Sequence, residues 1–600
     1  IRNSKSEIQN PKFKIQMEFI SLNIDGHDVQ VPHGTTVLDA AQSIDILIPT
    51  LCRFPEAKPS GFCRLCVVEV EGYSNLLPAC VLEARDGMIV RTQTKNVIES
   101  RRMSVELLVA QHPMQCLTCY QNGKCPLQKL ATQYGIQQSR FFRRDSSTNA
   151  KPAPILPIDG KNPAIVHDPN MCILCGLCIE ACRSIQAVDV IDFAHRGWTR
   201  TIEPAFGQSL SDVECTACGQ CIQLCPVNSF YEKSEIARVQ HALRDPSLHV
   251  VGLLSPVVGV SIGEEFGQNP GTLLQQQLVA ILKDIGFARV FDAGVGVDIL
   301  ILEESYELLT RIQAETQLPM LSSSSPAWIK YIEHFYPDRL SLLSSCKSPV
   351  QSLASLVKTY YADAEKIPLD RIFTVSITPC TAEKFERTRS EMMVDGHPAV
   401  DACLTTKETA SLLKGLTGER LLSIAPQPYD PPFENASGAG DIFGAAGGMV
   451  EGVMRTFHEL FTGKKLPSPE FENVRNSEGF QEITLTMGKQ TIHTVVVHGT
   501  GHIGQLMEHI TSGKKRYHYV EIKGCPHGCA RGGGEPLPCI AETVQARSRA
   551  LYEMDTSKKI RQAHENPIVK KIYEKFLKKP ASSHSQKLLH TKFTQRQRYL

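Results

Sequence analysis

The chain has no electrostatic bias. Its 64 Lys and Arg offset 63 Asp and Glu over 600 residues, leaving a formal net charge of +1. That balance removes any general attraction to nucleic acid or to an anionic membrane surface. Long apolar runs are also missing. The longest apolar stretch, Val250 to Val260, is interrupted by Gly252, Ser255, Pro256 and Gly259, so no transmembrane helix is expected. Ile1 to Gln16 lacks the apolar core of a secretory signal and is expected to be a disordered leader or non-native extension ahead of Met17. No disulfide scaffold is implied either, because such scaffolds belong to short secreted chains. Here 15 of 21 cysteines fall into four tight groups before residue 226. Metal-ligand spacing in a reducing, cytoplasmic setting fits better. At about 150 residues per domain the length predicts roughly four domains.

The first cysteine group follows a hairpin pattern. Phe19 to Ile24 and Asp28 to Val31 alternate in polarity around Asp25-Gly26-His27, and Thr35 to Ala41 reads as a helix with a Thr cap. Cys52, Cys63, Cys66 and Cys80 come next, spaced C-x10-C-x2-C-x13-C. Together these resemble a plant-type β-grasp ferredoxin module carrying 2Fe–2S, with zinc as the alternative. His112, Cys116, Cys119 and Cys125 stand at H-x3-C-x2-C-x5-C after a helical segment, Val97 to Gln111. One imidazole and three thiolates can close a zinc site or hold a 4Fe–4S cluster. The spacing resembles the histidine-ligated cluster shared by iron-only hydrogenases and the large NADH-oxidising subunit of respiratory complex I. A basic, Ser- and Pro-rich stretch, Phe141 to Pro157, reads as a linker. Then come Cys172, Cys175, Cys178 and Cys182, followed by Cys215, Cys218, Cys221 and Cys225. Two C-x2-C-x2-C-x3-C runs are the signature of a two-cluster ferredoxin, in which each run's fourth cysteine serves the other cluster. Modules in series make an electron wire, and nothing in them performs chemistry on a substrate.

From Leu248 onward the pattern changes. Val250 to Leu254, Arg289 to Asp292, Ile372 to Ile377 and Thr494 to His498 read as buried strands, alternating with helical stretches such as Leu273 to Ile285, Glu303 to Gln317 and Ser352 to Tyr361. That alternation predicts α/β lobes with parallel sheets. The Gly-rich run Gly438 to Gly448 lacks the G-x-G-x-x-G order of a dinucleotide site and is expected to pack close to a ligand. No nicotinamide or flavin site is evident, so an NADH link requires a partner.

Ser261 to Phe266, Thr378 to Glu386, Ser437 to Gly448 and Cys525 to Pro536 carry a resemblance to the iron-only (FeFe) hydrogenases. With the upstream modules it covers nearly the whole chain. The resemblance implies a multidomain α+β and α/β protein. Residues 17–97 form a 2Fe–2S ferredoxin, 98–137 the module with one histidine and three cysteines, and 138–240 a two-cluster ferredoxin. A two-lobed α/β catalytic core follows at 241–541, then a helical, small-subunit-like tail at 542–600. The implied cofactors are one 2Fe–2S and three 4Fe–4S in the N-terminal modules, then a further 4Fe–4S in the core with a two-iron unit carrying CO and cyanide. The implied reaction interconverts H2 with protons and electrons, delivered by ferredoxin or by a flavin- and NADH-binding subunit.

Carried over by position, Cys380, Cys525 and Cys529 are core-cluster ligands, with Cys529 bridging to the two-iron unit. Ser325 stands at the fourth ligand position, and Ser324 at the family's proton-passing cysteine. A hydroxyl is a harder, far less acidic ligand than a thiol. Glu383 replaces a lysine, Thr378 and Lys523 replace methionines, and Val350 replaces a glutamine. Glu383 and Lys523 are expected to form a charge-swapped pair. Glu304, Glu307, Arg311 and Ser344 match the family's outward proton path. Cys346 and Cys539 are extra cysteines, read either as buried apolar residues or as a substitute ligand. His584 and His590 are expected to be solvated, and Lys592 to Arg598 to be a frayed end. Two readings follow: a hydrogenase with impaired H2 chemistry, or an electron-transfer subunit or redox sensor that no longer activates H2.

Overall fold

The computed structural model describes residues 18–113, 115–141, 155–475 and 479–597. The expected leader lies outside the described residues, as does most of the expected linker. The chain forms two units, one of Ile1–Ile155 with Asn170–Leu177, the other of Leu156–Pro169 with Cys178–Leu600.

In the first unit a five-stranded sheet runs in the order His27–Pro32, Phe19–Ile24, Ile89–Arg91, Val67–Val70, Leu77–Pro78. The hairpin forms because Asp25 and Gly26 both take positive φ, 49° and 89°, the geometry of a two-residue turn that matches strand twist. Alternation then buries Ile20, Leu22 and Ile24 on the face toward the helix Val37–Gln42. Thr36 caps that helix by accepting the Asp39 N–H, so it starts two residues later than Thr35. Thr94 caps the longer helix Lys95–Gln111 in the same way.

The second unit holds two larger sheets. Four parallel strands run Arg289–Asp292, His249–Leu254, Ile372–Thr378, Ala402–Thr405. The other sheet runs Met320–Leu321, Tyr519–Lys523, Gln490–His498, Phe480–Met487, parallel except for its last pair. The strands read from the sequence are all present. Parallel strands covered on both faces read as continuous apolar runs, which is why they were legible. The helix expected from Glu303 actually begins at Gly294. Its Gly-Val-Gly start looks like a break, but a Cβ on Gly296 would lie 2.3 Å from the Pro349 carbonyl, so the glycine is there to let two helices touch.

The C-terminal segment is built into the core. Arg547 on helix Ala541–Ser557 forks onto Glu264, with both contacts at 2.7 Å. Two expectations are corrected here. His590 is half-buried, with its Nδ1 2.8 Å from Ser345 Oγ and its Nε2 3.2 Å from Glu303. The stretch from Lys592 is not frayed over its described residues, because Arg596 donates from its backbone to the Glu333 carbonyl and from its side chain to the Glu333 carboxylate.

Candidate functional site

Several of the grouped cysteines lie together. In the first unit Cys52, Cys63, Cys66 and Cys80 are buried, with Cys52 and Cys63 sulfurs 3.3 Å apart. Hydrogen bonds from the Cys63 and Cys80 thiols hold the Cys52 thiol far below its ordinary range. His112 ends helix Lys95–Gln111, Cys116 opens a single turn, and Cys125 precedes helix Pro126–Gln133. Burial raises the Cys125 thiol, and the Cys119 and Cys116 charges raise it further.

Cys172 and Cys175 lie in the first unit, the other six ferredoxin cysteines in the second. There Cys182 lines one cavity with Cys215, Cys218 and Cys221. The fourth cysteine of the first run therefore meets the first three of the second, the crossed arrangement of two-cluster ferredoxins.

The core cavity lies where the parallel strands end, the place open α/β sheets reserve for ligands. Ser324 and Ser325 follow strand Met320–Leu321, Cys380 follows Ile372–Thr378, and Cys525 and Cys529 follow Tyr519–Lys523. All five line one cavity of about 60 Å³ together with Cys218. Gly440 and Gly444 of the Gly-rich run line it too, as expected for a close-packed wall. The ferredoxin segment is pinned there. Gln223 donates to the Gly532, Gly533 and Glu535 carbonyls at 2.8 to 3.0 Å, and Thr381 donates to the Ala217 carbonyl at 2.8 Å. Cys218 thus borders both the ferredoxin cavity and the core cavity.

Ser324, Ser325, Val350, Thr378, Glu383 and Lys523, the six departures, all line this cavity. Ser325 Oγ accepts the Gly524 N–H at 3.1 Å. Glu383 and Lys523 do not pair as expected. Glu383 accepts hydroxyls from Ser376 at 2.7 Å and Thr378 at 2.8 Å, and burial lifts its carboxyl to about 7. Lys523 is buried with its Nζ 3.2 Å from the centre of the Phe443 ring, a cation–π contact. Neither extra cysteine reaches the cavity. Cys346 lies by Glu307, and the Cys539 sulfur lies 3.3 Å from Arg547 Nη1.

The donor set fits an iron–sulfur cluster at three soft corners and offers a hard oxygen at the fourth. Around the two-iron unit the lining departs from what the resemblance implies at two positions. Ser324 has no titratable thiol, and Glu383 places a carboxyl where the resemblance implies a cation.

A hydrogen-bonded relay leads outward. Ser322 Oγ lies 3.2 Å from Ser324 Oγ and 3.1 Å from Glu304 Oε1. Tyr519 donates to Glu304 Oε2 at 2.6 Å, and burial lifts the Glu304 carboxyl to about 7. Farther out, Glu307 accepts from Ser344 at 2.9 Å and from Arg311 at 2.6 Å. Ser322 and Tyr519 were missed in the sequence. Ser322 sits in the same serine run as the two substituted positions, and the Trp328 indole holds it by donating to its carbonyl at 3.2 Å.

Residues 248–533 match the C-terminal domain of the iron only hydrogenase large subunit, and residues 541–596 match the iron hydrogenase small subunit. Ahead of them, residues 18–95 match a 2Fe-2S iron-sulfur cluster binding domain. Residues 101–140 match the NADH-ubiquinone oxidoreductase-G iron-sulfur binding region, and 171–229 a 4Fe-4S dicluster domain. The chain is 38% identical over 594 residues to the NADP-reducing hydrogenase subunit HndD of Solidesulfovibrio fructosivorans, covering 97% of this chain and 100% of that one. Over 576 residues it is 32% identical to Iron hydrogenase 1 of Clostridium pasteurianum, covering 95% and 99%. A solved variant of apo FeFe-hydrogenase HydA1 from Chlamydomonas reinhardtii matches with a TM-score of 0.55 at 34% identity, over 60% of this chain and 99% of that one. With this likeness running through both the cluster-binding domains and the core, the chain belongs to the iron-only hydrogenase family and is an iron–sulfur oxidoreductase.

Proposed function

We propose that the chain carries electrons from a ferredoxin, or from a flavin- and NADH- or NADPH-binding partner, to a core cluster in the cavity, where H2 is interconverted with protons and electrons at a reduced rate. In this reading the wire is a 2Fe–2S cluster on Cys52, Cys63, Cys66 and Cys80, a 4Fe–4S on His112, Cys116, Cys119 and Cys125, and two 4Fe–4S on the eight ferredoxin cysteines. Cys380, Cys525 and Cys529 hold the core cluster, with Ser325 at its fourth corner. The observation that carries the proposal is Cys218, a cysteine of the second ferredoxin run that borders both cavities. The HndD relative is named as NADP-reducing, which supports a nicotinamide-linked partner.

When bound, the core group would supply the redox chemistry of hydrogen. The protein's own part is the proton. Glu304, lifted to about 7, can hold or release one near neutral pH and exchanges it through Ser322 with Ser324. Ser324 can relay by hydrogen bonding but cannot store the proton as a thiol with a pKa near ~8.5 does. Positioned proton transfer contributes about 10²- to 10⁴-fold, so the loss at Ser324 is of that order.

A second reading is favoured by the six departures sharing one cavity. On this reading the chain is an electron-transfer subunit, or a redox sensor, whose hydrogen site has decayed. Maturation with the family's assembly proteins, followed by infrared spectroscopy and hydrogen-driven dye reduction, separates the two. Infrared bands from CO and cyanide with slow turnover support the proposal. No bands and no turnover, with the N-terminal clusters fully loaded, support the second reading.

A further inference from the structure

Outside the cavity, three segments distant in sequence bring unlike metal-binding side chains together. Helix Gly294–Ala314 presents Glu303 and Glu307 one turn apart on one face. Cys346 and His590 oppose each other across an antiparallel bridge, flanked by Lys347 N–H to Leu589 O and Thr591 N–H to Ser345 O, both 2.8 Å. That pairing sets their side chains beside each other. Cys346 Sγ is 3.9 Å from Glu307 Oε2 and 3.9 Å from His590 Nδ1, and all three donor atoms lie within 4.8 Å of one another.

We propose that Glu307, Cys346 and His590 form a binding site for one zinc-class divalent cation, which ties the C-terminal segment to the long helix. Ligands bonded at ~2.0–2.3 Å to a tetrahedral ion lie roughly 3.3–3.8 Å apart, so the three atoms need to close by only tenths of an ångström to about one. The residue types are those zinc prefers: one thiolate, one imidazole and one carboxylate, with water in the fourth position. The histidine is already oriented. Its Nε2 lies 3.2 Å from Glu303 Oε2, and Glu303 is itself held by Tyr573 O–H at 2.7 Å and Ala581 N–H at 2.8 Å. A carboxylate accepting from Nε2–H leaves the Nδ1 lone pair facing the site, the arrangement in which a second carboxylate orients a zinc-bound histidine. Glu307 takes Arg311 on Oε1 at 2.6 Å, while its Oε2 faces Cys346 and also accepts from Ser344 Oγ at 2.9 Å, the Ser345 N–H at 3.1 Å and the Ser345 hydroxyl at 3.3 Å, so the two hydroxyls turn away when the ion binds. On binding, Cys346 releases its thiol proton to solvent, and the Ser345 hydroxyl yields its 2.8 Å contact with Nδ1. On the outward proton path that the family resemblance implies, Glu307 is the outer carboxylate, so an ion here would occupy it.

The test uses the full chain with its clusters loaded, treated with chelator and then equilibrated anaerobically with Zn²⁺ alone. Elemental analysis should find one zinc per chain, and zinc-edge X-ray absorption should give a single sulfur neighbour with nitrogen and oxygen completing the shell. Cys346→Ser and His590→Ala should each lose the zinc. Glu303→Gln should weaken binding about 10- to 100-fold. Ser345→Ala keeps all three ligands and should retain the ion. Cluster absorbance matching the parent shows that the variants fold. No stoichiometric zinc in the parent, zinc retained by Cys346→Ser and His590→Ala alike, or a shell of three or four sulfurs would each overturn the proposal. The last outcome would mean zinc in a cluster site.

Discussion

Replacing Glu304 by Gln isolates the buried relay carboxyl whose pKa is lifted toward neutral pH. Glu304 is fully buried and accepts from Tyr519, Ser322 and the Ser323 N–H at 2.6 to 3.2 Å. Those bonds favour the carboxylate, yet burial outweighs them and lifts its pKa from 4.5 to about 7. Between these values the folded chain keeps a proton that the unfolded chain has lost. The resulting stability is full below about 4.5 and disappears as pH rises through about 7. Linkage over that interval gives roughly 2 kcal/mol at about pH 5.5 and almost nothing at about pH 8.5. Gln cannot titrate, so the stability difference between parent and variant should change by about 2 kcal/mol across that range. Burial also lifts Glu383, Glu535, Asp298 and Asp441, but their contributions cancel in the comparison. The assay is anaerobic denaturant unfolding of the cluster-loaded chain at both pH values, paired with the infrared carbonyl stretch of the protonated acid. An identical pH slope in both proteins, with no acid band lost in the variant, would refute a proton stored at Glu304.

Ser325→Cys should complete a four-thiolate corner set with Cys380, Cys525 and Cys529, so core iron should survive a chelator challenge that strips the parent, as read by iron per chain and electron paramagnetic resonance. Gly219→Ala should slow electron passage to the core without affecting reduction of the first-unit clusters in stopped-flow. A Cβ there would sit 2.5 Å from Thr381 Oγ1 and 2.8 Å from Gly533 Cα, and overpacking of this kind costs about 1–3 kcal/mol. Arg455→Ala should destabilise the core by about 3–5 kcal/mol in denaturant melts. It strips a fully buried guanidinium that is bidentate to Asp555 at 2.8 and 2.9 Å and also paired with Glu451 at 2.7 Å.

The cluster modules were legible because thiolate spacing is a local property, and short loops between cysteines bring them together whatever the rest of the chain does. The buried strands were legible for a similar reason, since a run of apolar residues bounded by turns has few other uses. Contacts between distant segments were not legible. Nothing local in Leu589-His590-Thr591 shows that it will pair with Ser345 to Lys347, so His590 read as a solvated residue. The start of helix Gly294–Ala314 was not read either, because what Gly296 serves lies in a neighbour across the core. Glu383 and Lys523 show the limit most clearly. Opposite charges at two altered positions suggest a pair, but backbone geometry decides otherwise. Ser376 and Thr378 alternate onto one face of their strand, and helix Ala382–Glu386 turns Glu383 back onto that face, so two hydroxyls meet it. Lys523 leaves the neighbouring sheet pointing at Phe443 instead.

Glu383 and Lys523 therefore do not compensate as a pair. The resemblance implies a thiol relay where Ser324 stands, a soft ligand where Ser325 stands and a cation where Glu383 stands, and all three residues line one cavity. Changes that share partners in one cavity do not act independently. Ser324→Cys alone should raise hydrogen turnover little, because the fourth corner is still an oxygen. Ser325→Cys alone should restore the corner and leave the proton step slow. In the double variant turnover should rise about 10²- to 10⁴-fold over Ser325→Cys, the size of a positioned proton transfer. A purely additive result, with Ser324→Cys giving the same gain in both backgrounds, would separate the ligand from the relay and count against a single remodelled site.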